Sequence, residues 1–310
     1  MLPKQINLFA ALLFAAMLAF AARAALPIPV PNASFESPVT SFVNTHIDLW
    51  QKTAKPDWYD ESGPFLWDQL TGTFKNTDPG MANHIDNCDG AQAIWMFTVA
   101  GAGIFQDYES MDWTHTNAPL HAFNAVYEVG KAYQFTVGLI GGGGNMPIGA
   151  TIDLGFYYRD SQSNRVTLAS MTVTNSPQNF SNTTHFVDFS LLLPTVAASD
   201  SWAGRHVGIE LISSTTDTNL QGGYWDIDNV RFAIRNPILL NPVWTNGQFQ
   251  FTIASDPGLP LQIVTSSDPL LPVSNWAILA TVTNVSGNLP FTDTSGSPGR
   301  QRFYQARALP

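Results

Sequence analysis

The chain has 310 residues, of which 45% are hydrophobic, 12% aromatic and only 12% charged. This apolar content is enough for a folded core and too high for a disordered chain. Fourteen Lys and Arg residues against 24 Asp and Glu residues give a net charge of −10. Because the chain has no basic cluster with which to neutralise many phosphates, we expect no nucleic-acid partner.

Residues 1–24 have the pattern of a secretory signal peptide. Lys4 precedes an apolar stretch from Ile6 to Ala22, and Ala22-Arg23-Ala24 matches an A-x-A-like cleavage site. The alternative is a membrane anchor, but the stretch is short for a bilayer span and prolines follow it directly. We therefore expect a secreted, cell-surface or periplasmic protein. After cleavage we expect no membrane span, since no later apolar stretch is long enough.

Alternation of apolar and polar residues with a period of two predicts an all-β protein. Seven strands before residue 236 suit a two-sheet jelly-roll sandwich. They are predicted at 93–100, 132–140, 151–159, 166–174, 185–192, 206–213 and 224–234. The stretches 42–83 and 107–126 lack this alternation, so we expect long loops there, which is where binding sites usually lie.

A domain boundary is predicted near Arg235-Asn236-Pro237, because a new run of strands follows it. These strands are predicted at 247–254, 260–266, 276–283 and 302–308. The first domain then covers 25–235 and a smaller β-sandwich accessory domain covers 236–310, both within ordinary domain sizes. Cys88 is the only cysteine, so no intrachain disulfide forms and another source of stability is expected.

Motifs at both ends of the first domain carry a resemblance to a known family. The domain opens with Asn32-Ala33-Ser34-Phe35-Glu36 and closes with Asp228-Asn229-Val230. With Asp89-Gly90-Ala91-Gln92-Ala93 between them, this order resembles secreted jelly-roll domains of the carbohydrate-binding-module type. It is similar to a bacterial family that includes the calcium-dependent Stig cyclases. The second domain, in Trp244-Thr245-Asn246-Gly247 and Arg302-Phe303-Tyr304, resembles fibronectin-III-like accessory modules.

The resemblance implies a Ca²⁺ site that joins the opening and closing strands. Glu36 and Asp228 are the implied side-chain ligands, and Asn32 is a weaker candidate. Ca²⁺ accepts carboxylate, amide and carbonyl oxygens from separate segments, so it could stabilise a domain that lacks disulfides. The alternative is that Asp228 caps a turn or forms a salt bridge with Arg231.

Further acidic residues lie near these candidates. Asp226 and Asp228 face the same side of a strand, where two like charges are costly unless a cation or a proton is shared. Asp86 and Asp89 flank Cys88 in a second oxygen-rich cluster, which lacks the spacing of an EF-hand. We therefore treat Asp86 and Asp89 as secondary metal candidates.

Seven tryptophans fall in the first domain, and aromatic faces can stack on sugars or line a pocket for a polycyclic ligand. The ligand-binding candidates are Trp50, Trp58, Trp67 and Trp95. For each of them the alternative is a place in the core. Trp95 and Phe97 share one face of their predicted strand and Ile94 and Met96 share the other, so one of these pairs must be core.

The main hypothesis is a calcium-stabilised module that binds an extracellular polysaccharide or other glycan without catalysis. The alternative is a Stig-cyclase-like enzyme that acts on an apolar polycyclic small molecule. In that enzyme Asp226 is the buried general acid and Tyr108 its partner. A structural or adhesive role without a small ligand also fits. A glycosidase ranks last, because the chain shows no paired-acid motif.

Overall fold

The computed structural model describes residues 25–235, 237–255, 259–295 and 301–309. The predicted signal peptide lies outside these residues. In the described part the helices are short 3₁₀ turns, and none of them is long and apolar enough to cross a membrane. Nearly all other regular structure is β-strand, so the predicted all-β class is confirmed.

Residues 25–235 contain twelve strands. They are β1 (Ala25–Ile28), β2 (Val43–Asn44), β3 (Gln51–Lys52), β4 (Thr71–Lys75), β5 (Gln92–Phe97), β6 (Gly103–Gln106), β7 (Ala132–Gly143), β8 (Thr151–Arg159), β9 (Arg165–Thr174), β10 (Val187–Leu193), β11 (Gly208–Ser213) and β12 (Tyr224–Arg235). A seven-stranded sheet has the order β10-β7-β12-β5-β4-β2, with β1 also paired to β12. A five-stranded sheet has the order β3-β6-β11-β8-β9.

The main hydrophobic core combines apolar side chains from both sheets. Ile94 and Ile227 come from the seven-stranded sheet, and Leu154 and Leu211 from the five-stranded one; all four are fully buried. Burying such side chains stabilises each by about 1.5–3 kcal/mol relative to exposure. On β5, Ile94 and Met96 are the pair that faces the core. Trp95 and Phe97 therefore lie on the outer face of the sheet.

Strand β12 organises the seven-stranded sheet. One of its edges pairs with β7, and the other pairs first with β5 and then with β1. Asp226 lies opposite Trp95 of β5 and Ile140 of β7. Asp226 and Asp228 share one face, as the alternation predicted. Because the chain neighbours of Asp226 are buried core residues, this face is the outer side of the sheet and not the interior expected for a general acid.

Two segments were expected to be long loops, and the structure confirms this for only one of them. The stretch 42–83 is not only loop, since it contains β2, β3, β4 and a 3₁₀ helix at Trp67–Leu70. These strands were missed because they are very short or consist of small polar residues such as Thr71 and Thr73, which are nevertheless buried. The stretch 107–126 is irregular, as expected, apart from a bridge between Val126 and His206.

The chain after residue 236 forms a smaller β-unit. Its strands are β13 (Ile238–Thr245), β14 (Gln248–Ala254), β15 (Leu259–Ser266), β16 (Ala277–Asn284), β17 (Asn288–Asp293) and β18 (Phe303–Ala308). They form two three-stranded sheets, β13-β14-β17 and β16-β15-β18, around a core that includes Phe251, Ile253 and Ile263. Strands β13 and β17 were not predicted, and the likeness to fibronectin-III modules stays a prediction.

Candidate functional site

The outer side of the seven-stranded sheet carries partly exposed aromatic side chains around a carboxylate. We call this group, which consists of Trp95 and Phe97 on β5 with Tyr224 and Asp226 on β12, the aromatic face. The register pairs Tyr224 with Phe97 and Asp226 with Trp95. The rings of Phe97 and Tyr224 meet edge-on, with centroids 6.1 Å apart.

Two glycines allow the larger rings of the aromatic face to lie against the sheet. A Cβ atom on Gly72 of β4 would be 2.3 Å from Cη2 of Trp95, so the indole lies directly over this glycine. The indole N–H donates to the carbonyl of Gln69 at 3.2 Å, which holds the ring in this orientation. On the other side, a Cβ atom on Gly143 would be 2.5 Å from Cε2 of Tyr224. Each ring therefore lies against backbone, and each is partly exposed.

Gly143 belongs to β7 and pairs with Tyr224 of β12. The glycine is needed because any larger residue at this position would collide with the Tyr224 ring. Gly143 thus leaves room for the Tyr224 ring to pack against the backbone of β7.

Asp226 stands between these rings. No group in the described ranges donates a hydrogen bond to its carboxylate, and burial raises its pKa to about 7. The apolar neighbours Trp95 and Ile140 flank it on the adjacent strands. Near neutral pH such a carboxyl group can accept hydrogen bonds from a ligand when ionised and can donate a proton when protonated.

A second group of carboxylates meets at the loop that leads into β5. Asp228 accepts a hydrogen bond at Oδ2 from the backbone N–H of Asp89, at 2.7 Å. Glu36 accepts two at Oε1, from the N–H groups of Ala91 and Gln92, both at 2.8 Å. Asp228 is fully buried, and burial raises its pKa to about 7. Its Oδ1 atom has no hydrogen-bond partner in the described part of the chain.

This arrangement offers oxygens to a cation but is not a complete set of ligands. Among the described residues, no hydrogen bond reaches Oδ1 of Asp228 or Oε2 of Glu36, and such oxygens suit Ca²⁺. Within the described ranges, no three His, Cys, Asp or Glu side chains converge on a metal position. Backbone carbonyls or water would have to complete the shell. Burial and the nearby Asp228 raise the pKa of the Cys88 thiol, which argues against a thiolate.

The other acidic and amide candidates are used elsewhere. The Asn32 side chain donates to the carbonyls of Ser37 and Asp48, both at 2.8 Å, and so stabilises its own turn. Asp86 is exposed and contacts Nδ1 of His185 at 2.6 Å. Glu36 and Asp228 therefore both bind the loop before β5. The side chains of Asn32 and Asp86 make other contacts and do not join this group.

Two predicted pairings are not formed. Tyr108 follows β6 of the five-stranded sheet, and its ring is stacked between His121 and His206 at centroid distances of 4.1 and 4.0 Å. Asp226 faces outward from the opposite sheet, so Tyr108 is not its partner. The salt bridge considered for Asp228 is also absent, because Arg231 pairs with Asp188 instead.

The loop tryptophans separate by burial. Trp50 is fully buried and packs against Phe35 with centroids 5.5 Å apart, so its ring belongs to the core and is not accessible to a ligand. Trp67 is 7% exposed, whereas Trp58 is 58% exposed and meets Trp67 edge-on at 6.3 Å. Tyr224 was not among the predicted site residues, although its alternation with Asp226 along β12 places both side chains on one face.

Comparisons with known proteins show similarity in structure only. No protein-family model and no curated protein matches the chain. A solved structure of the Stig cyclase Fisc from Fischerella sp. TAU, in complex with an indole compound, is 19% identical with a TM-score of 0.47, and the match covers 68% of this chain and 98% of that one. The CBM22-1 xylan-binding domain of Paenibacillus barcinonensis Xyn10C is 9% identical with a TM-score of 0.31, covering 60% and 85%. The C-terminal family 22 carbohydrate-binding module of Clostridium thermocellum Xyn10B is 14% identical with a TM-score of 0.32, covering 67% and 97%.

Proposed function

We propose that this protein binds a glycan without catalysis and that the aromatic face is its sugar site. The observation that carries the proposal is the placement of Trp95 and Tyr224 against the sheet on either side of Asp226. Rings held in this way present a fixed apolar surface, on which the C–H face of a sugar ring can stack. The Asp226 carboxylate, which has no donor from the described protein groups, can accept hydrogen bonds from sugar hydroxyls.

We also propose that Ca²⁺ is held by Glu36 and Asp228, together with backbone or water oxygens. The support is the buried, unpartnered Oδ1 atom of Asp228 beside a loop that already binds both carboxylates. Bound Ca²⁺ would supply the positive charge that the buried Asp228 carboxylate lacks. It would also link the start of the first domain to its closing strand β12.

Export and the role of the second unit complete the proposal. The signal-like pattern of residues 1–24 supports secretion, and a secreted sandwich would meet extracellular polysaccharide. We assign the unit after residue 236 no chemistry and infer that it is a fibronectin-III-like spacer or adhesion module.

A second candidate function is supported by the environment of Asp226. A carboxyl group with a pKa of about 7, flanked by Trp95 and Ile140, is partly protonated at neutral pH and could act as a general acid. An apolar polycyclic substrate lying on Trp95 would then be protonated, as in a cyclase or isomerase. The nearby Tyr224 would stay protonated, since burial and the Asp226 charge raise its pKa.

Affinity electrophoresis through gels that contain single polysaccharides tests glycan binding. We expect retardation of the wild-type protein by at least one polysaccharide and loss of this retardation in Trp95→Ala. The matched control is Trp244→Ala, because Trp244 is 46% exposed on β13 of a different sheet. If Trp95→Ala is retarded as strongly as wild type, the aromatic face is not the sugar site.

Asp226→Asn separates binding from catalysis. The amide of Asn still forms hydrogen bonds with hydroxyls but cannot deliver a proton. A glycan-binding protein should keep affinity within about tenfold, as expected when one hydrogen bond is altered without loss of the side chain. A cyclase would lose turnover of its indole-type substrate and keep its binding. Turnover by wild type that disappears in Asp226→Asn would replace the first proposal with the second.

A further inference from the structure

A groove separate from the aromatic face lies at one end of the first sandwich. It has a volume of about 500 Å³, within the range of about 300–1,000 Å³ that is typical of ligand pockets. Its lining includes the aromatic residues Trp58 and Trp67, the polar residues Thr216, Thr218 and Gln221, and Gly101. We call it the end groove.

The Trp58 ring of the end groove is exposed but held in place. Its ring meets the rings of Trp67 and Tyr59 nearly edge-on, with centroids 6.3 and 6.0 Å away. Trp67 is buried in turn and donates from Nε1 to the carbonyl of Thr53 at 2.7 Å. Trp58 is therefore a large apolar surface that is kept in contact with water and has little freedom to fold away. An aromatic residue in this situation is a common anchor for a ligand.

The polar residues of the lining offer hydrogen-bonding groups that have no partner among the described residues. Gln221 donates from Nε2 to the carbonyl of Thr215 at 3.2 Å, which leaves its side-chain oxygen available. The hydroxyl groups of Thr216 and Thr218 have no hydrogen-bond partner among the described residues, although they line the groove. Sugar hydroxyls can both donate to and accept from groups of this kind.

The charge of the lining selects among possible ligands. None of the residues that line the end groove is charged, whereas the chain as a whole carries −10. An anionic sugar would find no basic partner here and would be repelled by the net charge. The lining therefore suits an uncharged sugar.

The end groove is linked to the aromatic face through Phe97. The Phe97 ring is 6.1 Å from Tyr224 on one side and packs in the cluster that contains Trp67 on the other. Phe65, which is 43% exposed, covers Phe97 with centroids 4.9 Å apart. Tyr224, Phe97 and Trp67 thus connect the aromatic face to the end groove.

We propose that the end groove is a second subsite for a neutral sugar unit, and that one polysaccharide chain contacts both the groove and the aromatic face. This inference rests on the proposed glycan-binding function. It adds that the ligand is uncharged and is longer than the aromatic face alone can hold. Trp58 is the stacking residue of the groove, and Thr216 and Thr218 are its hydrogen-bonding residues.

The first experiment is affinity electrophoresis of the full protein with neutral and acidic polysaccharides. The neutral probes are xylan, hydroxyethyl cellulose, mixed-linkage β-glucan and galactomannan, and the acidic ones are polygalacturonate and alginate. We expect binding to a neutral probe and none to the acidic ones. Binding only to acidic probes would overturn the inference and leave the proposed function in place, whereas binding to no probe would overturn both.

The second experiment measures calorimetric affinities for the disaccharide and hexasaccharide of the neutral polysaccharide that binds. We expect Trp58→Ala to weaken hexasaccharide binding by about tenfold or more and to leave disaccharide binding within about twofold, because a short ligand occupies the aromatic face alone. Trp58→Phe should retain part of the affinity. Thr218→Val, which removes a hydroxyl and keeps the shape of the side chain, should weaken the hexasaccharide about threefold or more. Trp244→Ala is the control for loss of an exposed indole.

The outcomes separate the inference from the proposed function. If Trp95→Ala loses hexasaccharide affinity while Trp58→Ala and Thr218→Val bind as wild type, the groove is not a subsite and the aromatic face stands. If neither tryptophan matters, both proposals fail. Because Trp58 is 58% exposed, Trp58→Ala should unfold at the wild-type temperature, and this is checked by circular dichroism.

Discussion

The Trp95 ring packs directly against Gly72, and the substitution Gly72→Ala tests this contact. We expect it to change stability first and glycan binding as a consequence. In Gly72→Ala the added methyl group would lie 2.3 Å from Cη2 of Trp95 and 2.5 Å from the backbone oxygen of Asn44. Both distances are far below van der Waals contact. The indole must therefore move off the sheet, and the carbonyl on β2 restricts any other adjustment.

The expected loss of stability follows from overpacking. Extra methyl groups in a packed site cost about 1–3 kcal/mol. Because one of the two clashes at Gly72 is with backbone, we expect the upper part of this range, about 2–3 kcal/mol. For a domain of about 200 residues this lowers the melting temperature by about 4–12 °C. The displaced Trp95 ring should also weaken glycan binding, since it no longer lies beside Asp226.

Thermal unfolding and affinity electrophoresis of the same samples test this prediction. Gly63→Ala is the matched control, because a Cβ atom there would meet only the Asp60 backbone oxygen, at an ordinary 3.9 Å. In the double variant Gly72→Ala with Trp95→Ala the clash with the indole is gone, so the double variant should be more stable than the sum of the single effects implies. The packing of Trp95 against Gly72 would be refuted if the two stability changes were additive in the double variant. It would also be refuted if Gly72→Ala melted and bound glycan as wild type does.

Three further predictions concern other buried groups. Chelation of Ca²⁺ should lower the melting temperature, and Asp228→Asn should remove this dependence; a ligand at 100 times its Kd contributes about 2.7 kcal/mol. Burial lowers the pKa of Lys52 from 10.5 to about 8. Between these values the unfolded chain keeps the proton that the native state has lost, so stability relative to Lys52→Met should rise by up to about 3 kcal/mol from pH 8 to 10.5, as measured by urea unfolding. Trp50→Ala should lower the free energy of unfolding by about 3–5 kcal/mol, because it removes a fully buried ring. Added glycan should leave this difference unchanged, because Trp50 is not accessible to a ligand.

Much of the fold was predictable because strand alternation is a local property. All seven strands expected before residue 236 begin within two residues of their expected starts, and β8 matches its prediction at both ends, at Thr151–Arg159. The inward and outward faces of β5 follow from the same rule, since Ile94 is buried and Trp95 is partly exposed. Short strands such as β2 and β3 could not be found, because two residues carry no periodicity.

The sequence by itself determined the class of the protein, the sides of its long strands and the residue types available for binding. The tertiary structure alone decided which of these residues meet a ligand. Trp50 and Trp58 lie in the same loop region, yet one is buried and the other is 58% exposed. Gly72 and Trp95 become one surface only through the pairing of β4 with β5. The physical reason is that burial and cross-strand contact depend on segments that are distant in the chain, whereas alternation depends only on neighbouring residues.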